Sequence, residues 1–210
     1  MVPRGFPRIV RLPLFPLQTV LFPGATIPLH IFEPRYREMV GRCLEHDDPF
    51  GIVLILEGEE VGGPAIPRRI GTEASIIACQ KYRDGRYDLV AEGRRRFETL
   101  MIDRSRSYLR ADVRFLEEPM GLDADGLAEA VGKLFEGILE SLELSGQAVV
   151  DETWRELDAC ALSYRVASAL PVADEVRQEL LEVPDATSRL RREAELLISA
   201  AKIGAEAGAA

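Results

Sequence analysis

The chain has 210 residues, 47% hydrophobic and 29% charged, and a formal net charge of −9. That mixture excludes an intrinsically disordered chain, and the length allows one large domain or two small ones. No run approaches the roughly 18–20 apolar residues that span a bilayer, and three widely spaced cysteines (Cys43, Cys79, Cys160) make no disulfide framework.

The opening MVPRGFPRIV lacks the apolar core and small-residue cleavage site of a signal peptide. A reducing cytoplasm, with no membrane attachment, is the expectation. Charge is unevenly divided: residues 1–120 carry 18 Lys+Arg against 17 Asp+Glu, residues 121–210 carry 8 against 18. A polyanion would be repelled by the second part and could be met only by the first.

Residues 11–44, RLPLFPLQTVLFPGATIPLHIFEPRYREMVGRCL, set Pro13, Pro16, Pro23, Pro28 and Pro34 among Leu, Ile, Val and Phe. Prolines so dense exclude a long helix and argue against a central strand, because each removes a backbone donor. An extended, kinked apolar ribbon is expected, turning at Phe22-Pro23-Gly24-Ala25. The following strand places Ile27, Leu29 and Ile31 on one side and Thr26, His30 and Phe32 on the other. Pro34 suits a first helical position. Tyr36, Met39, Val40, Cys43 and Leu44 then recur at helical spacing, so a short helix is predicted over 34–46.

Phe50–Leu56 reads as a buried strand and Glu57–Ala65 as a mobile loop. A further strand is predicted over Arg69–Gln80. Tyr82-Arg-Asp-Gly-Arg-Tyr87 is a hairpin built on Asp84-Gly85. The return strand runs to Glu92, and Gly93 permits a bend or bulge before Arg94–Ile102. In Tyr108–Leu116, Leu109, Ala111, Val113 and Phe115 alternate with Arg110, Asp112 and Arg114. Composition breaks at Glu117–Gly121. The resulting division is a β-rich part, 1–118, and an α-helical part, 119–210, with a tail frayed from about 203.

In the second part Leu127, Val131, Leu134, Ile138 and Leu142 mark a helix after Asp123. Gly126, Gly132 and Gly137 weaken it by roughly 1 kcal/mol each. Asp151 is a candidate N-cap for a helix with Trp154, Leu157, Ala161, Tyr164 and Ala167 on one stripe. Pro171 separates it from a helix carrying Val176, Leu180 and Leu181. Val183-Pro184-Asp185 resets the chain for a last helix with Leu190, Ala194, Leu197 and Ala201.

Chemistry-bearing motifs are weak throughout. Gly126–Lys133 has one residue too many between its glycines and lacks the Ser/Thr of a phosphate loop. Cys43 and His46 have half a zinc site's spacing, but the packing of Cys43 on a helix face and His46 at a helix end explains both. No HExxH, G-x-S-x-G or GxGxxG occurs. No catalytic residue, cofactor or metal is therefore expected. Arg94-Arg95-Arg96, with Arg68, Arg69, Arg104 and Arg106, is the main basic feature. Alternation splits it between two faces and Glu92, Glu98 and Asp103 offer local partners, so nucleic acid is disfavoured.

LPLFPLQTVLFPGATIPLHIFEPRYREMV, GTEASIIACQKYRDGRYDLVAEGRRRFETL and PVADEVRQELLEVPDATSRLRREAELL together resemble the LON N-terminal domain over residues 8–200. That domain is the substrate-recognition module of LON-type ATP-dependent proteases, and it also occurs alone in bacteria and inside cereblon. The resemblance implies an α+β fold: a curled sheet or open pseudobarrel, PUA-like and β-rich, followed by a C-terminal α-helical bundle. It implies a non-enzymatic module that recognises unfolded or damaged polypeptides, apolar segments or degradation signals. The ATPase and Ser-Lys protease have no room here. Candidate peptide contacts are Phe15, Leu17, Phe22, His30, Phe32 and Tyr36, with Arg35 and Arg95 fixing polar ends. Alternatives are an adaptor docking a protease or a second copy of the chain, RNA binding by the β-rich part, and an unrecognised hydrolase.

Overall fold

The computed structural model describes residues 8–63, 65–144 and 152–207. Two compact units divide the chain, Met1–Glu117 and Glu118–Ala210. The first contains β1 (Ile9–Leu17), β2 (Thr26–Ile31), α1 (Pro34–His46), β3 (Phe50–Glu57), β4 (Ile66–Lys81), β5 (Tyr87–Asp103) and β6 (Arg110–Phe115).

The strand order is β2-β5-β4-β3-β1-β6, with a further β5–β6 pairing. Five strands thus close into a ring and β2 lies outside it. This is possible because β5 has two partners in succession: residues 87–92 pair with β2, and residues 97–103 pair with β6. The expected pseudobarrel is closed at this point. The two halves of β5, read in the sequence as strands either side of a bend, form one strand with a bulge where Thr72 opposes Arg96 and Ala74 opposes Gly93. Gly93 is required there by close approach: a Cβ would lie 2.3 Å from the Phe22 carbonyl oxygen.

The prolines of β1 were expected to keep it out of the sheet interior, yet it lies between β3 and β6. The resolution is in the register. Residues 9–13 pair with β6 and residues 14–17 with β3. The Leu14 amide donates to Leu109 O, at 2.8 Å, so even-numbered residues turn their backbone groups towards β6 and odd-numbered ones towards β3. Pro13 therefore faces β3's side before that pairing begins. Pro16 faces β6's side after that pairing has ended. Neither missing donor interrupts a ladder.

The two faces of β1 serve different cores. Leu12 and Leu14 join Val53, Phe97, Ala111 and Val113 inside the ring. Gly51 and Gly71 leave room for Phe97, since a Cβ on either would come within 3 Å of its ring. Phe15 and Leu17 point the other way, into a core with Tyr36, Met39, Val40 and Cys43 of α1. Each such burial contributes roughly 1.5–3 kcal/mol. Leu44, expected on the same helical face, is 42% exposed, since the packed stripe ends at Cys43. The turn at Phe22–Ala25 forms as predicted, with Gly24 at φ +78° and the Ala25 amide donating to Phe22 O.

The second unit contains α2 (Ala124–Leu144), a 3-10 turn (Glu152–Glu156), α3 (Ala159–Ala169), α4 (Asp174–Glu182) and α5 (Ala186–Ala207). The predicted third-helix stripe is broken. Asp158, not Asp151, caps α3, accepting from the Ala161 amide at 2.8 Å. Leu157 is accordingly left exposed. Asp151, the tail from 208 and the side chains of Ile138, Leu142 and Ala201 lie outside the described residues.

Arg189 of α5 ties three helices together. It is fully buried and donates to Leu180 O, Ser163 Oγ and the Tyr164 hydroxyl, with its guanidinium 3.9 Å from the Tyr164 ring centre. One turn later Glu193 is also fully buried, with no hydrogen-bond partner for either carboxyl oxygen. Burial pushes this carboxyl well above its ordinary value of 4.5, against the smaller lowering effect of Arg189. The folded unit therefore holds a proton that the unfolded chain releases. Its stability falls as pH rises from 4.5 towards the raised value. Glu193→Gln should leave the melting temperature near pH 4 unchanged and raise it at pH 8, by about 2–4 °C per kcal/mol recovered. The same pH dependence in both proteins would contradict this.

Candidate functional site

β2, β5 and the end of β4 form a three-stranded sheet beside the ring. His30, Asp88 and Gln80 are in register across it, as are Pro28, Val90 and Ala78. By strand alternation these six share one face, and Leu29 and Leu89 turn to the α1 side, where they join its core. The shared face lines an open groove of about 610 Å³.

Its floor is Pro28, Ala78 and Val90, and a polar chain closes one end. His30 Nδ1 donates to Asp88 Oδ1 at 2.5 Å, and the Tyr82 hydroxyl donates to Asp88 Oδ2. The Tyr82 bond first, and then the His30 bond, hold Asp88 below the usual carboxylate range. Phe32 continues the face, its ring 6.0 Å from that of His30 and nearly parallel, and is 46% exposed. Ile77, the extra residue of a bulge in β4, is 50% exposed.

The groove is bordered by a strand edge. Among the described residues β2 pairs only with β5. The Gly93 amide donates to Ala25 O, so Ile27, Leu29 and Ile31 turn their backbone groups to β5. Thr26, Pro28 and His30 turn theirs outward. Pro28 thus sits where its missing donor blunts an open edge.

The sequence-selected residues divide accordingly. Phe15, Leu17, Phe22 and Tyr36 are at most 6% exposed; Phe15 packs edge-on against Tyr36 at 4.3 Å. These four hold the fold. His30 and Phe32 come together at the groove. Arg95 lies over the Phe115 ring at 3.4 Å and pairs with Glu73 at 2.8 Å. Arg94 pairs with Glu92, and Arg96 is buried. The arginine run is therefore not a free basic patch. Pro28, Ala78, Gln80, Tyr82, Asp88 and Val90 were missed. Alternation in Asp88-Leu89-Val90 puts two of them on one face, but only the strand register assembles the groove.

Arg35 has a different task. Its Nε bonds Glu33, its Nη1 donates to Gly63 O and its Nη2 to Glu60 O, each at 3.1 Å. Glu33 also accepts from the Gly62 amide. The loop read as mobile is thus fastened to the start of α1.

No activated nucleophile accompanies this geometry among the described residues. Burial pushes the Cys43 thiol up to about 11 and raises Cys160 and Cys79 as well. His46 Nδ1 donates to Arg42 O at 3.0 Å. No three His, Cys, Asp or Glu side chains among the described residues converge as metal ligands, and no described helix is long and apolar enough to cross a membrane.

Residues 11–199 match the model of the ATP-dependent protease La (LON) substrate-binding domain. A Lon N-terminal domain protein from Xanthomonas campestris is similar in structure, with a TM-score of 0.65 and 30% identity over 88% of this chain and 96% of that one. The N-terminal domain of a Mycobacterium avium complex Lon protease shares the fold, with a TM-score of 0.72 at 21% identity over 90% and 98%. Lon protease 2 of Myxococcus xanthus is 26% identical over 89% of this chain and 23% of its own length. Lon protease of Methylocella silvestris is 29% identical over 85% and 22%. The chain thus spans less than a quarter of these curated relatives.

Removing the Arg35 fork should loosen the loop and spare the ring. Arg35→Ala is expected to cost about 1–3 kcal/mol and to speed amide hydrogen exchange across 60–63, with β3 and β4 unchanged. Unaltered exchange in the loop would contradict the anchoring role.

Proposed function

This chain belongs to the family of LON ATP-dependent protease substrate-binding domains, and on that premise we propose that it is a non-catalytic module capturing extended apolar segments of unfolded or damaged polypeptides. The observation that carries the reading is the groove on the outer face of β2, β5 and β4, apolar along its floor and flanked by the unpaired edge of β2. An extended segment lying along β2 could fold a large apolar side chain over Pro28 towards Val90 and Ala78, which follow it across the sheet. It would meanwhile bond the outward backbone groups of Thr26 and His30. Main-chain bonding is indifferent to sequence, and a shallow apolar floor discriminates weakly, which suits a receptor for many clients.

Pro28 limits the edge. With no amide at its centre it offers an incoming strand a broken ladder, so capture is reversible and edge-to-edge assembly is discouraged. The arginine run gives no support to RNA binding, since its exposed members hold acids of the same sheet.

Fluorescence anisotropy with a reduced, alkylated, permanently unfolded protein tests the reading. Val90→Asp and Ala78→Asp place charge on the floor without touching either core. Each should weaken binding about tenfold, roughly the 1–3 kcal/mol of burying an unpaired polar group, with the melting temperature unchanged. Equal affinity in wild type and both variants, or no binding at all, would overturn it.

A further inference from the structure

A second hollow, of about 320 Å³, lies in the same unit, between Gly62, Gly63 and Ala65, the start of α1 and the turn before β6. Pro16, Tyr36, Ala65, Tyr108 and Leu109 give it apolar walls, and Arg35, Arg104 and Arg106 stand around it. The geometry points to a site for the free carboxyl end of a polypeptide, with the α-carboxylate against Arg104 and Arg106 and a large apolar last side chain against the walls. This rests on the reading that the unit binds polypeptides and adds which part of them it would select.

Two guanidinium groups at the hollow lack a close acid. Most arginines on the strands of this unit, Arg68 excepted, are closely matched: Arg11, Arg69, Arg94, Arg95 and Arg110 each hold an acid at 2.9 Å or less. Arg104 and Arg106 at the hollow are not matched in this way. Arg104 is exposed and meets no acid among the described residues. Arg106 approaches Glu38 no closer than 3.7 Å, and that carboxylate already accepts from Ser107 Oγ at 2.6 Å. Of the other acids nearby, Glu33 is paired with Arg35 and accepts from the Gly62 amide, and Glu60 keeps its charge while accepting from the Gln18 amide at 2.9 Å.

An arginine fork matches a carboxylate's two oxygens, and the bond is stronger for being charge-assisted. A bare inorganic anion would leave the apolar walls unfilled. An internal apolar segment would bring a wall-filling side chain but no charge to Arg104. A C-terminal residue supplies both at once. Arg35, with its donors committed to Glu33, Glu60 and Gly63, is a positioning residue that fixes the loop forming one wall.

The test uses short Gly/Ser peptides ending in leucine, made as the free acid and as the C-terminal amide, titrated against the full chain by calorimetry. The acid is expected to bind at least about tenfold more tightly than the amide. That preference should shrink with added salt and vanish in the Arg104→Ala/Arg106→Ala double variant. These side chains are on the surface, so the variant should melt with wild type. Val90→Asp, on the other face, should leave the preference intact. Equal binding of acid and amide, or a preference that survives the double variant, would overturn the proposal. The groove reading would still stand if the unfolded protein bound and Val90→Asp weakened it, and would fall separately if it did not.

Discussion

Everything in the β-rich unit depends on β5 serving two neighbours along one continuous strand. Its second half closes the ring through β6, and its first half carries β2 away from that ring. The change of direction occurs at the bulge beside Gly93, where the Phe22 carbonyl comes close enough to forbid a side chain. A strand that ended at Gly93 would leave either an open sheet or a ring with no flap beside it. Because it does not end there, the unit has both a dense interior and a small accessory sheet whose β2 edge is unpaired among the described residues.

That arrangement explains why the most apolar stretch of the chain is largely buried. Both faces of β1 are covered, one by the ring interior and one by α1. The aromatic ribbon therefore supplies cohesion, and exposure passes to strands whose outer faces carry smaller or mixed side chains. Pro28, Ala78 and Val90 are apolar without being large. A surface of this kind would suit the proposed capture of an extended apolar segment. The Glu33-Pro34-Arg35-Tyr36 segment likewise turns inward: Tyr36 goes to the core, while Glu33 and Arg35 hold the neighbouring loop.

Much of this fold was legible in the sequence because periodicity, turn chemistry and the family likeness agreed. The α1 stripe, the Asp84-Gly85 hairpin, the alternation of β6 and the turn at Pro23-Gly24 all follow from local rules. What local rules could not supply was pairing. The prolines of β1 looked incompatible with an interior strand because the side to which each absent donor would point depends on where β6 ends and β3 begins. The groove was invisible for the same reason: its floor takes one residue from each of three strands. Burial also could not be divided between faces by composition alone, so Phe15 and Phe22 looked as suitable for contact as Phe32. In the helical unit a single stripe across 154–167 hid a break that only the Asp158 cap reveals.

Hydrogen exchange on the full chain, with and without a saturating unfolded polypeptide, bears most directly on the claim that the accessory sheet is where other chains are gripped. Protection should appear at the outward amides of Thr26 and His30 and spread over 76–82 and 87–90, with the ring interior unchanged. Protection confined to the helical unit, or absent from β2 while binding is demonstrably saturated, would contradict it.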